Sequence, residues 1–405
     1  MTLTALGMTD GVGSMLVGAK RQGYEILGNV EWRRYYHSGT WEHNFNNAWM
    51  VHSWDQAKVP SDVTLVTGHP ECGQWSALAY SSLGNEADRW TVPSDIPIFV
   101  EGIKKVKPEF FAMDNLVKSL HAVPLTKWHE ELPEYDIFAE YISNYHYGNI
   151  QLNRKRMFII AAKKEYEYVF MPGEQEHDTT VWDLIGDLHG KDETYISNHW
   201  QFPGDLRTPM REYHEKVYVD VDRQAEIFKT IRPGLAPRYL DKDGNEKSRI
   251  GMMRLYKDKH GHTITGCNYH MHPVTAKPLT CRERARFQGF PDDFEFIFKK
   301  EADRFNTNMA KQTGKAMPVQ FCTFLSEQFK DHYQGNRGKS VSGKRHLRDP
   351  FIEQVKMDYC KNVGYSNQKR ACNWCAIKDC SMRQATTIAP YAKTNKRLNG
   401  AYKND

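Results

Sequence analysis

The sequence predicts an α/β fold built on a mostly parallel sheet, and three observations carry that expectation. Apolar runs short enough for buried strands recur at LTAL (3–6), VTLVTG (63–68), PEFFAMDNL (108–116) and RMFIIAA (156–162). Helical stretches lie between them, MLVGAKRQG (15–23) being the clearest. The chain, 405 residues of which 40% are hydrophobic and 26% charged, is long enough for a large core and two or three domains.

In chain order, LTAL runs into the turn GVGS (11–14) and then the first helix. Gly11 and Gly13 allow a tight turn with close backbone approach to a ligand, and Ser14 opens the helix, whose N-terminus suits a nucleotide. YEILGNVEW (24–32) supplies the next strand. Glu31 ends it, where a carboxylate accepts hydrogen bonds from ribose hydroxyls. VTLV then leads into TGHPECGQWS (67–76), setting Cys72 on the C-terminal rim of the sheet, where such folds place their sites. A lone Cys is otherwise a small buried hydrophobe. Residues 165–275 are different: short aromatic segments, many Gly and Pro, eight His, and 19 Asp and Glu against 14 Lys and Arg. Helical character returns with RERARFQGF (282–290) and MPVQFCTFLSEQF (317–329). Residues 334–349 are polar, Gly- and Ser-rich and basic, the composition of a linker.

No run approaches 18 consecutive apolar residues, which excludes a membrane-spanning helix, and the N-terminus lacks the basic-then-apolar pattern of a secretion signal. An intracellular globular enzyme or binding module remains, with a monomer as the expected state. Charge is uneven. Residues 331–405 carry 15 Lys and Arg against 6 Asp and Glu, whereas the rest of the chain carries 40 against 44. A basic tail on a slightly acidic body fits a polyanion partner, or a merely solvated tail. Eight Cys are too few for a disulfide scaffold, but Cys360, Cys372, Cys375 and Cys380 fall within 21 residues around a central CxxC. Four thiolates so spaced can close a tetrahedral site, zinc being the leading ion and an iron–sulfur cluster the alternative.

Five segments, in order, resemble the DNA (cytosine-5)-methyltransferases. The family's nucleophile loop, Pro-Pro-Cys-x-x-x-Ser, is matched by Pro70, Glu71, Cys72 and Ser76. Its Glu-Asn-Val strand end is matched by Asp114, Asn115 and Leu116, and its tyrosine-glycine-then-arginine segment by YHYGNIQLNRKRMFIIA (145–161) with Arg154 and Arg156. PLTCRERARFQGFPDDF (278–294) is the most specific match, and the closing Gln-x-Gly-Asn-Ala-Val-Pro appears as Gln312 to Pro318, with Lys315 in place of Asn. Departures cluster around the expected site. Gly7 stands where Asp is usual, GVGS replaces Gly-x-Gly-Gly, Glu71 replaces Pro, Asp114 replaces Glu, and Leu152 occupies the usual Gln position.

The resemblance implies a Rossmann-like S-adenosylmethionine-dependent sheet with an inserted target-recognition domain. The implied boundaries are 1–164 and 278–333 for the catalytic domain, 165–277 for recognition, 334–349 for the linker and 350–405 for the small Cys-rich C-terminal module. It also implies methyl transfer to carbon 5 of a cytosine flipped from double-stranded DNA. Cys72 would add to carbon 6, Asp114 would protonate or hydrogen-bond N3, and Arg154 or Arg156 would hold O2. Gly11, Gly13, Ser14, Glu31 and Lys315 would line the cofactor pocket. Two alternatives stand beside this: a catalytically silent DNA-binding relative, and carboxymethyl transfer from a carboxylated S-adenosylmethionine read by Lys315. Glu71 could instead pair with Lys315 and neutralise it. Arg282 and Glu283 are expected to support a helix start as an ion pair.

Overall fold

A computed structural model describes residues 2–32, 39–59, 62–72, 95–116, 119, 125–152, 154–168, 170, 177–190, 229–236, 238–240, 246–248, 253–266, 270–277, 279–297 and 309–336. Seven strands form one sheet in the order β3-β2-β1-β4-β5-β7-β6. They are β1 (Thr4–Met8), β2 (Glu25–Val30), β3 (Trp49–Val51), β4 (Leu65–Gly68), β5 (Phe110–Asn115), β6 (Tyr135–Ser143) and β7 (Lys155–Lys163). Pairing is parallel from β3 through β5, and antiparallel where β7 inserts between β5 and β6. A two-stranded ribbon, β8 (Arg238–Leu240) with β9 (Glu246–Ser248), stands apart. The predicted strands at 3–6, 24–32, 63–68, 108–116 and 156–162 are thus present, with β3 and β6 in addition.

The central strands are apolar without interruption because both faces are covered. Phe110 and Ala112 of β5, with Phe158 and Ile160 of β7, enter one core. Their alternating neighbours Phe111, Met113, Met157 and Ile159 enter the other. The helix Ile96–Val106 covers the second face through Phe99, Val100 and Ile103. The first face is covered by the helices Ser14–Arg21 and Val319–Tyr333. The latter buries Val319, Cys322, Leu325, Ser326 and Phe329, an i, i+3, i+4 stripe, and stacks Phe329 on Phe110 with ring centroids 4.9 Å apart. A third, smaller cluster joins Ile150 to Val181, Leu255, Ile264, Leu279 and Phe287, so described parts of 165–277 pack directly against the catalytic segments.

The two helices of the first face touch at Gly18, where an added Cβ would lie 2.6 Å from both the Cys322 carbonyl carbon and its Cβ. Gly18→Ala is therefore expected to destabilise the protein by about 1–3 kcal/mol through forced separation of the helices. Urea unfolding checks this: an unchanged midpoint would mean the helices are free to shift.

The helix Cys281–Phe287 starts on a capping box. Thr280 Oγ1 accepts from Glu283 N at 3.2 Å, and Glu283 Oε2 accepts from Thr280 N at 2.6 Å. Arg282 donates to the carbonyls of Pro291 and Phe294. Both residues support the fold, but Glu283 does so as a cap and Arg282 through carbonyls, in place of the expected ion pair.

Candidate active site

The strand order reverses between β1 and β4, and the loops after those two strands flank the crevice that such a reversal opens. After β1, Asp10 accepts from Met15 N at 3.4 Å and Leu16 N at 3.0 Å, capping the first helix. Burial, opposed by those hydrogen bonds, pushes its carboxyl up to about 7. Gly11 and Gly13 have φ of 64° and 90°, and a Cβ on Gly13 would meet the Phe45 ring at 2.4 Å. Gly11 N donates to Oε2 of the fully buried Glu31 at 3.2 Å, so the turn and the end of β2 form one cradle. Ser14 Oγ accepts from Met317 N at 3.0 Å, which ties the turn to the closing segment.

On the other side of the crevice, β4 runs into His69, Pro70, Glu71 and Cys72, while β5 ends on Asp114 and Asn115. Asn115 Nδ2 donates to the Pro70 carbonyl at 3.4 Å and steadies the Cys72 loop. β7 brings Arg156 alongside β5. Its Nε lies 2.9 Å from Asp114 Oδ2, Nη2 lies 2.9 Å from Oδ1, and Nη1 lies 3.6 Å from Cys72 Sγ. His69 Nδ1 approaches Asp114 Oδ2 at 2.9 Å. Four charged or chargeable groups thus converge, with Asp114 fully buried and His69 and Arg156 nearly so.

Their electrostatics follow from that closeness. Burial opposes the Cys72 thiolate, but the Arg156 guanidinium and the His69 imidazole outweigh it and lower the thiol to about 6. Burial likewise opposes the Asp114 carboxylate, and Arg156 and His69 nevertheless hold it at about 2. Burial disfavours the His69 cation, yet Asp114 and Cys72 raise the imidazole to about 9.

Arg154 is held by backbone carbonyls, where Arg156 is held by Asp114. Its Nη1 donates to the Ile264 carbonyl, and its Nη2 to those of Gly314 and Ala316, so it clamps the closing segment. Beside it, Gln151 is fully buried, donating to the Phe287 carbonyl at 2.8 Å and accepting from Ile264 N at 2.7 Å. The glutamine missing at Leu152 is present one residue earlier. Lys315 Nζ lies 2.9 Å from Glu71 Oε2, the pairing that the two departures suggested. Cys360, Cys372, Cys375 and Cys380 lie outside the described residues. Among those that are described, no group of three or more His, Cys, Asp or Glu could hold a metal ion, and no helix is long and apolar enough to cross a membrane.

The sequence profile of the C-5 cytosine-specific DNA methylases matches residues 3–331. The chain belongs to that family. Among its methylase relatives, Type II methyltransferase M.MthTI of Methanothermobacter thermautotrophicus is 24% identical over 352 residues, covering 83% of this chain and 99% of that protein. Type II methyltransferase M.BbvI of Brevibacillus brevis is 35% identical over 224 residues, 52% of each chain. A crystal structure of a Spodoptera frugiperda DNMT2 mutant superposes with a TM-score of 0.53 at 12% identity, covering 81% of this methylase and all of that chain, a likeness of fold.

Proposed function

We propose that the chain is a DNA cytosine-5 methyltransferase acting on a cytosine flipped out of double-stranded DNA, with S-adenosylmethionine as the donor. The observation that carries this reading is the Cys72 sulfur, partly exposed at the crevice, within 3.6 Å of Arg156 and lowered to about 6, so that it is largely thiolate near neutral pH. The cradle after β1 fits the donor: two glycines in left-handed conformation and a buried Glu31 suit a nucleoside whose hydroxyls need an acceptor. Gly11, Gly13 and Glu31 would hold it, and it would supply the methyl group. Ser14 acts from behind, by fixing the closing segment.

The chain's own residues do the rest. Cys72 attacks carbon 6 and makes carbon 5 nucleophilic. Arg156 stays beside the sulfur and spreads positive potential over the ring as its electron density rises. The silent-binder alternative is disfavoured by the same geometry, since a binding module has no use for a lowered thiol. Lys315 finds its counter-charge in Glu71, so the donor needs no carboxylate, which favours methyl over carboxymethyl transfer. Cys360, Cys372, Cys375 and Cys380 support a tail metal module through their spacing alone.

Duplex DNA carrying 5-fluorocytosine tests the reading. Fluorine at carbon 5 blocks the final proton loss, so a denaturant-stable protein–DNA adduct that needs Cys72 and the donor is expected. Absence of the adduct, under conditions where DNA and donor both bind, would leave the silent binder.

A further inference from the structure

We propose that His69 is a further catalytic residue, one that takes the Cys72 thiol proton and keeps it as a thiolate–imidazolium pair, with Asp114 as the anion that orients the ring. The inference rests on the methyltransferase reading for its substrate, but its geometry stands alone. His69 follows β4 by one residue and is three positions before Cys72, so both share one loop. Its Nδ1 faces Asp114 Oδ2 at 2.9 Å, and the Arg156 guanidinium joins it to Cys72, with Nη2 3.4 Å from His69 Nδ1 and Nη1 3.6 Å from Cys72 Sγ. Nucleophile, imidazole and carboxylate thus gather on one guanidinium, and these are the group types that activate Cys and Ser nucleophiles on unrelated folds.

Asp114 is held here as an anion, not as the acid expected of it. Arg156 Nε and Nη2 and His69 Nδ1 together engage both of its oxygens, and all three favour the carboxylate. Asp114 is an anchor for two cations. The groups facing His69 are Asp114 from β5, Arg156 from β7, Cys72 from its own loop, and Asp10 from the loop after β1. Two anions, Asp114 and the thiolate, balance Arg156 and the imidazolium.

The proton balance closes. The Cys72 S–H bond breaks, its proton passes to the imidazole, and the electron pair stays on sulfur. That pair forms the bond to carbon 6 while the carbon 5–carbon 6 π pair is delocalised through carbon 5 towards N3 and O2, and carbon 5 takes the donor's methyl group, the donor leaving as the neutral thioether. Loss of the carbon 5 proton to solvent water then restores the carbon 5–carbon 6 double bond, the carbon 6–sulfur bond breaks with its pair on sulfur, and the imidazolium still holds the first proton.

Alkylation of Cys72 by iodoacetamide in the full-length protein, followed across pH by mass spectrometry of the peptide carrying it, tests the pair. A midpoint near 6 is expected for the unchanged protein. In His69→Gln it should rise by about one pH unit or more towards the ordinary thiol value of about 8.5, with kcat down roughly 10²-fold and KM values within about twofold. An unchanged midpoint in a folded His69→Gln overturns the proposal. If that variant does not fold, histidine labelled with ¹⁵N in the unsubstituted protein decides. One imidazole doubly protonated at pH 7.5, and titrating at lower pH in Cys72→Ser, is expected; its absence overturns the pair. The 5-fluorocytosine adduct separates the two failures. An adduct with no midpoint shift removes His69 alone, whereas a shift with no adduct removes the methyltransferase reading and leaves the pair.

Discussion

Cys72→Ser is expected to lower kcat by about a thousandfold or more while leaving DNA and donor binding within about threefold. A hydroxyl is so much weaker an acid than a thiol that the two neighbouring cations, which bring the thiol to about 6, cannot make an alkoxide populated near neutral pH. The side chain changes by a single atom at a partly exposed position, so the fold and the stability should be retained. Single-turnover assays with tritiated donor measure the first quantity, and equilibrium binding the second. Residual activity within tenfold of the unsubstituted protein would remove covalent attack by Cys72 from the mechanism.

Arg156→Met is expected to destabilise the protein by about 3–5 kcal/mol, because it leaves a buried carboxylate without its principal partner. Asp114 is fully buried, and Arg156 Nε and Nη2 supply its closest hydrogen bonds besides that of His69. The pH dependence has a fixed sign. Asp114 has its folded value depressed to about 2 from an ordinary value of about 3.9, so its stabilisation is present above about pH 4 and lost as pH falls through 2. His69 is raised to about 9 from about 6.5, so its share is present below pH 6.5 and lost as pH rises through 9. Urea midpoints measured from pH 2 to pH 10 should form a plateau between about 4 and 6.5, and Arg156→Met should raise the acid edge of that plateau. An unfolding free energy within about 0.3 kcal/mol of that of the unsubstituted protein would show Asp114 to be solvated.

Much of the sheet was legible because β5 and β7 are apolar on both faces, a pattern that survives without any knowledge of neighbours. β6 was not, since Asp136 and Glu140 break its apolar run at the sheet edge, where one flank has no strand to cover it. β3 is three residues long and offers no periodicity. Within the site, Cys72, Asp114 and Arg156 were legible as motif residues, and Glu71 with Lys315 as paired departures. Their relations were a different matter. Asp114 was expected to supply a proton because its partners lie 42 and 45 residues away in the chain and meet it only through the strand order. His69 was passed over for the same reason, although it sits in the quoted TGHPEC segment. Arg154 and Arg156 are indistinguishable by spacing. One turns to the closing segment and the other to Asp114, because Arg154 precedes β7 while Arg156 lies within it.

The insertion of β7 between β5 and β6 sets an order of events during synthesis. Cys72 leaves the ribosome 84 residues before Arg156, an interval of roughly 4–17 seconds at ordinary elongation rates. Throughout that interval the thiol lacks its guanidinium neighbour and behaves as an unremarkable cysteine, slow to react with oxidants or electrophiles. The guanidinium arrives only when a late strand slots in between β5 and β6.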